Sequence, residues 1–301
     1  MNFKGLCNNR IIKAVITVIL CISVFAVSFV LSGIDLSTSA LFGNSFDKNS
    51  DFVRIIDVGQ GDSILIYSNG YSALIDTGLS DAASDVCTAL ESCGIKSLDV
   101  LLITHLDSDH IGAAAGVTEI YGVKNLIMPE ISSESEGIGT AQLVINRVVE
   151  ADGNIYTAVQ GMNFEIGEFE FTVLASFPKM ADENNRSVIT AAEIDGLKFL
   201  LAGDMEAKAE KALLGENLDL KCDVLKVGHH GSSTSSNMDF LKAVMPRYAA
   251  ISVGQNNDFG HPHNEVISDL QYIGAKIYRT DTDGDITFYI ENKRIVPKTE
   301  K

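Results

Sequence analysis

Directly after the apolar run LDVLLIT, the chain places His105, Asp107, Asp109 and His110 within six positions. Imidazole nitrogen and carboxylate oxygen are the donor atoms that zinc and related ions take, and a hydrolytic site collects several of them while leaving room for water. The sequence has six histidines, and the other four form two further clusters, His229 with His230 in GHHG and His261 with His263 in GHPH. A lone histidine is more often a packed or surface residue. Here the whole complement falls in loops that follow an expected strand or precede an expected helix, and this pattern points to a metal centre. Asp204, in FLLAGDME, follows another apolar strand and a glycine. Taken alone it reads as a helix N-cap; beside the histidines it is a candidate bridge between two ions, which at roughly 3.5–4 Å apart clamp a scissile group from both sides.

These residues need a scaffold whose strand ends meet. FVRIIDV, SILIYS and YSALID read as strands separated by glycine-containing turns, with Asn-Gly at 69–70 as a hairpin signal. Strand and helix then alternate: helix 82–93, strand 98–104, helix 111–121, strand 124–128, helix 140–151. Strands follow at 169–174, 187–194 and 197–202 with a helix at 205–214, and a second alternation runs from strand 224–227 through helix 238–244, strand 248–253 and helix 264–273 to strands 276–278 and 286–290. Asp283-Gly284, between the last two, reads as a hairpin turn. Hairpins followed by alternation, twice over, suggest two mixed sheets with helices outside. With 46% apolar residues in 301, the chain has ample material for one sizeable core.

The first 32 residues stand apart. Arg10 and Lys13 precede an unbroken apolar run from Ala14 to Leu31, long enough for a membrane-spanning helix, which needs roughly 17–25 residues. A cleaved signal peptide is the competing reading, and the length of the run favours an uncleaved anchor. Lys4, Arg10 and Lys13 lie before the span, so the positive-inside rule puts the N-terminus in the cytoplasm and the rest outside, at the cell membrane, or secreted if the segment is cleaved. The expected organisation is an anchor at 1–32, a polar linker at 33–51, a hydrolase domain at 52–295 and a tail at 296–301. Removing the three basic residues of the anchor from the total charge of −17 leaves −20 for the remainder. A field of that sign repels polyanions at long range. Cys87, Cys93 and Cys222 form no C-x-x-C pair and read as free thiols.

THLDSDHIG resembles the H-x-[HD]-x-D-H signature of the metallo-beta-lactamase superfamily, the opening strands resemble its N-terminal hairpin, and LAGD its bridging-aspartate loop. DVLKVGHHGSSTSS and GHPHNEV narrow the resemblance to the group containing the hydrolase domain of the DNA-uptake channel protein of natural competence. It runs from about Phe52 to Ile290. The resemblance implies an α/β fold, the αββα metallo-beta-lactamase sandwich, here preceded by one N-terminal transmembrane helix. It also implies a ligand set: His105 and Asp107 for a first metal, Asp109 and His110 for a second, Asp204 between them, and His229 completing the second, with His230 as the alternative. Asp109 and His261 become the candidate catalytic groups, Asp109 as proton acceptor (or Asp107) and His261 as donor to the leaving group. Asp57, Asp76, Asn185, Ser187, His230, His263 and Ser232 are expected behind the ligands or against substrate.

Two departures matter. Asp107 stands where many members of the superfamily have histidine, and no histidine occurs between Ile111 and Gly228. The first site is therefore oxygen-rich and open to Mn²⁺ or Zn²⁺, while Zn²⁺ suits the second. The expected function is a two-metal hydrolase that attacks a phosphodiester, DNA first among candidates, with metal-activated water. Hydrolysis of a small ester, lactone or cell-envelope phosphoester is the alternative, and an inactive metal-containing surface binding protein a third. The membrane is the expected partner through the anchor, and no protein partner is identifiable from the sequence. Lys221, Lys226, Arg186 and Arg279 are the cations nearest the motifs.

Overall fold

Alternating side chains build the first strands of the computed structural model, which describes residues 47–301 apart from residue 134. The expected anchor at 1–32 and most of the linker lie outside the described residues; among those described, no helix is long and apolar enough to cross a membrane. β1 (Asp51–Ile55), β2 (Ile64–Ser68) and β3 (Tyr71–Ile75) form an antiparallel meander. Asn69 and Gly70, both at positive φ, make the two-residue turn between β2 and β3. Crossovers through α1 (Ala83–Ser92), then through α2 (Ser108–Ile111) and α3 (Ala114–Ile120), then through α4 (Ile138–Glu150) add the parallel strands β4 (Ser97–Leu102), β5 (Gly122–Met128) and β6 (Asn154–Thr157).

The second sheet repeats the scheme. β7 (Asn163–Ile166), β8 (Phe169–Ala175), β9 (Ile189–Ile194) and β10 (Leu197–Leu201) are antiparallel neighbours. α5 (Ala207–Gly215), α6 (Met238–Val244) and α7 (Asn264–Tyr272) then lead to parallel β11 (Val224–Lys226), β12 (Tyr248–Ile251) and β13 (Lys276–Arg279). After α8 (Thr280–Asp283) the chain returns to the first sheet as β14 (Ile286–Glu291) and β15 (Arg294–Thr299). Among the described residues the sheets have eight and seven strands, in the orders 15-14-1-2-3-4-5-6 and 13-12-11-10-9-8-7.

The period of two in a strand divides each sheet's side chains between two layers. Val53, Ile55, Ile64, Ile66, Phe169, Phe171, Phe199 and Phe288 face one another in the core between the sheets. Leu200, Leu225, Ala249 and Ile251 point the other way, against Leu213, Phe240, Leu241, Val266 and Leu270 of α5, α6 and α7. This is the expected sandwich of two sheets between helices, and it brings the carboxyl ends of β3, β4, β10, β11 and β12 to one edge.

Four expectations change. Asp283-Gly284 is not a hairpin turn, because β13 pairs with β12 in one sheet and β14 with β1 in the other. The expected tail contains most of β15, which pairs with β14 through a turn at Asn292 and Lys293, both at positive φ but without a glycine to signal it. The expected helix 111–121 is two short helices, α2 and α3. β6 and β7 carried too few apolar residues to stand out, and all four residues of β6 are exposed.

Candidate metal centre

The loop after β4 carries the first histidine cluster, and Asp76, at the end of β3, holds it. Asp76 sits at φ 56°, uncommon for a residue with a Cβ, and is buried. Its Oδ1 accepts from the Thr104 amide at 2.8 Å; its Oδ2 accepts from Thr104 Oγ1 at 2.6 Å and pairs with His110 Nδ1 at 2.8 Å. Because the Thr104 hydroxyl proton goes to Asp76, its oxygen is left to accept from His105 Nδ1 at 3.0 Å. Both rings therefore keep their proton on Nδ1 and turn a bare Nε2 inwards, the tautomer a metal-ligating histidine needs.

The β1–β2 turn closes over this loop. Asp62 N donates to Asp109 O at 3.1 Å, and Ser252, just beyond β12, donates through Oγ to Gly61 O at 2.7 Å. Gly61 has φ 134°, and a Cβ there would lie 2.3 Å from Asp109 O, so only glycine admits this approach. At Gly203, φ 52° before Asp204, a Cβ would lie 3.0 Å from the Ser187 side chain and 3.2 Å from Thr104 Cβ. Ser187 Oγ receives the Asp204 amide at 3.0 Å, donates to Asn184 O at 2.7 Å, and lies 3.4 Å from His105 Nδ1.

After β11, two consecutive residues adopt left-handed backbone, His229 (φ 47°, ψ 47°) and His230 (φ 52°, ψ 23°). Such strain persists only where surrounding contacts impose it. It sends the two rings to different places. His230 is buried, gives Nδ1–H to Ser252 O at 2.9 Å, and brings Nε2 to 3.1 Å from Asp109 Oδ2 and 3.2 Å from Asp204 Oδ2. His229 is partly exposed, with Nδ1 at 3.2 Å from both Glu206 Oε1 and Thr234 Oγ1, and Nε2 3.9 Å from Asp204.

Asp109, His110, Asp204 and His230 thus present donor atoms within 4.8 Å of one another. His110 Nε2 lies 3.3 Å from Asp204 Oδ2, and His105 Nε2 lies 3.6 Å from Asp107 Oδ2. His105 Nε2, His110 Nε2 and Asp204 Oδ1 are buried without a hydrogen-bond partner, a cost of about 1–3 kcal/mol each if nothing else meets them. Burial opposes charge throughout, yet Asp204 and Asp76 push His110 well above the ordinary histidine range, and Asp204 and Asp109 push His230 up to about 10. Against the same burial, His230 and His110 hold Asp204 and Asp109 far below the usual carboxylate range. The cluster calls for positive charge at its centre, and bare lone pairs converging on shared carboxylate oxygens fit a divalent cation.

Other expected site residues fall elsewhere. Asp57 faces a groove of about 650 Å³ between β1, α1 and the β14–β15 ribbon, where its carboxylate meets the Gly59 amide and Lys301. Asn185 points at α5, accepting from the Glu206 and Ala209 amides through Oδ1; its neighbour Asn184 instead sets Nδ2 3.5 Å from His229 Nε2. Ser232 Oγ contacts Thr234 Oγ1 at 3.0 Å, so it braces the GHHG turn. His263 precedes α7 and accepts from the Ser233 amide at 2.9 Å. His261 stacks on His230 with ring centroids 6.5 Å apart, and partial burial with the neighbouring imidazoles pushes it down to about 4.

Lys226 offers nothing to an external anion. It is fully buried, 2.8 Å from Asp62 Oδ2 and donating to Val227 O at 2.8 Å, and Asp62 Oδ1 lies 3.5 Å behind His230 Nδ1. Asp62 as the partner of Lys226, Asn184 and Glu206 are the neighbours of the site that sequence reasoning missed. A lysine among the apolar residues of a strand was the available signal.

Comparison with known proteins places this geometry. The model of the metallo-beta-lactamase superfamily matches residues 56–255. ComE operon protein 3 of Bacillus subtilis (strain 168) is 34% identical over 262 residues, 80% of this chain and 33% of that protein. Competence protein ComA of Neisseria gonorrhoeae is 33% identical over 243 residues, 80% of this chain and 32% of that protein. The chain thus spans about a third of the length of these relatives. Among solved structures, the metallo-beta-lactamase fold protein YhfI from Bacillus subtilis superposes with a TM-score of 0.55 at 10% identity, covering 79% of this chain and 99% of that one.

Proposed function

Because this chain belongs to the metallo-beta-lactamase superfamily, we propose that it is a two-metal phosphodiesterase whose substrate is DNA, working outside the cytoplasmic membrane from an anchor formed by residues 14–31. The observation that carries the reading is the convergence of Asp109, His110, Asp204 and His230, with His110 Nε2 and Asp204 Oδ1 buried and unpartnered among them. These four would hold the second ion, and His105 and Asp107, sharing Asp204, the first. Divalent ions bound there would supply Lewis acidity towards a phosphoryl group and a supply of nucleophilic water near neutral pH. Zn²⁺ suits the imidazole-rich position, and Mn²⁺ or Zn²⁺ the oxygen-rich one.

The chain's own groups do the rest. Asp76, Thr104 and Ser252 fix the three imidazoles by their Nδ1 protons. Glu206 and Thr234 orient His229, and Asn184 Nδ2 beside it is a donor suited to a phosphate oxygen. Asp109, one quarter exposed, or Asp107, one third exposed, can take a proton from attacking water. His261, expected as donor to the leaving group, has its imidazole pushed down to about 4 and is neutral near pH 7, so it suits contact with substrate rather than proton donation. The DNA assignment draws on the competence proteins this chain resembles.

Hydrolysis of a small cell-envelope phosphoester is the second reading. The net charge of −17 and the burial of Lys226 favour it, because neither offers a polyanion a docking strip. The test uses the purified full chain with Mn²⁺ or Zn²⁺ on labelled single-stranded and duplex DNA and on bis-p-nitrophenyl phosphate, with metal content measured in parallel. The proposal expects bound metal and DNA cleavage, both lost in Asp204→Asn. Cleavage of the small ester alone rejects DNA as substrate; no metal and no turnover rejects the enzyme.

A further inference from the structure

The segment 254–261, between β12 and α7, is pinned by one side chain. Asn257 Nδ2 donates to Gly254 O at 3.0 Å and His261 O at 2.7 Å, while its Oδ1 accepts from the Phe259 amide at 3.2 Å and the His261 amide at 3.0 Å. The tip of this loop is Phe259, 64% exposed. A single exposed apolar residue needs no explanation in itself. Its placement is what matters: the Phe259 ring lies at 23° to the His261 imidazole with centroids 5.6 Å apart, and His261 lies at 29° to His230 with centroids 6.5 Å apart. Phe259, His261 and His230 therefore step from solvent towards the metal cluster through two successive stacked contacts, and the Asn257 hydrogen bonds fix the backbone that carries Phe259.

We propose that Phe259 is a stacking platform for an unpaired nucleobase beside the scissile phosphodiester, which makes single-stranded nucleic acid the preferred substrate. The inference rests on the phosphodiesterase reading and narrows it. Every nucleobase has a π-face, so a ring at this position gains contact with any unpaired base, whereas a base in a duplex already spends both faces on its neighbours. The platform also suits an acidic domain: stacking supplies affinity that does not depend on a cationic strip, of which Lys226 is no part.

The test compares a single-stranded oligothymidylate with the same backbone made abasic around one phosphodiester. The ratio of their kcat/KM values is expected to be about 5- to 150-fold in favour of the base-bearing strand. Phe259→Ala and Phe259→Leu should bring that ratio close to one, and Phe259→Trp should keep it. Leucine fills the loop without a π-face, so a ratio retained in Phe259→Leu overturns the proposal, as does an equal loss on both substrates in Phe259→Ala. The chain has no tryptophan, so Phe259→Trp also reports stacking through its own fluorescence whether or not turnover occurs. Quenching by oligothymidylate but not by the abasic strand supports the platform; equal quenching, or none, overturns it. If no phosphodiester is cleaved while the base-dependent quenching persists, the phosphodiesterase reading fails and the platform stands.

Discussion

Replacing Lys226 by methionine should destabilise the domain more than any change on its surface. The ammonium is fully buried, 2.8 Å from Asp62 Oδ2. Methionine keeps most of the aliphatic stem but leaves the Asp62 carboxylate buried without its counter-ion, and breaking a buried pair from one side costs about 3–5 kcal/mol. That is about a fifth or more of a typical domain's stability, and for a domain of this size it corresponds to a fall in Tm of roughly 6–20 °C. Removing both charges is different in kind: Lys226→Met with Asp62→Leu leaves no orphan, so the double variant should recover most of the loss. Urea unfolding in the presence of chelator measures this without a contribution from bound ions. A Lys226→Met variant within about 1 kcal/mol of the parent would refute the reasoning. So would a double variant whose loss equals the sum of the singles, because the two groups would then not be coupled.

Three further outcomes follow from particular contacts. Burial pushes Glu210 up to about 7, against the opposing hydrogen bonds from the Ser236 amide and the Asn237 amide and side chain. Its folded pKa therefore lies above the unfolded 4.5, so its contribution is complete below pH 4.5 and is lost as pH rises through about 7, roughly 3 kcal/mol in all. Urea midpoints at pH 5 and pH 8 should show that fall in the parent and a smaller one in Glu210→Gln; equal slopes would remove Glu210 as the cause. Asp107→His, which restores a nitrogen donor beside His105, should raise zinc affinity at the first site about tenfold or more, and calorimetric titration showing flat or weaker binding would take Asp107 out of the coordination shell. Gly61→Ala should lower Tm by several degrees and reduce bound metal, since a Cβ would meet Asp109 O at 2.3 Å; unchanged metal content and Tm would mean the β1–β2 turn can move aside.

How much could be read without coordinates depended on whether a feature was local along the chain. The sandwich with its outer helices was legible because apolar periodicity is a local property: Val53, Ile55, Ile64 and Ile66 alternate within single strands. Of the groups now clustered, Asp109, His110 and Asp204 stood out because each sits in a short motif after an apolar strand. Asp76 stood out for the same reason. Short or weakly apolar elements such as β6 and β15 carried too little pattern to register.

What the sequence by itself determined is an inventory: two mixed sheets, six histidines in three loops and a set of carboxylates of the right kind to hold metal. Only the tertiary structure chose among neighbours. Successive left-handed residues bury His230 beside Asp109 and leave His229 against Glu206, and a single turn sends Asn184 to the cleft and Asn185 to α5. It also joined Asp62 to Lys226 and carried the Phe259 loop to the rim of the site. The reason is physical: residue type and periodicity are encoded position by position, but which of two adjacent side chains faces a cleft is set by backbone torsions that distant contacts impose.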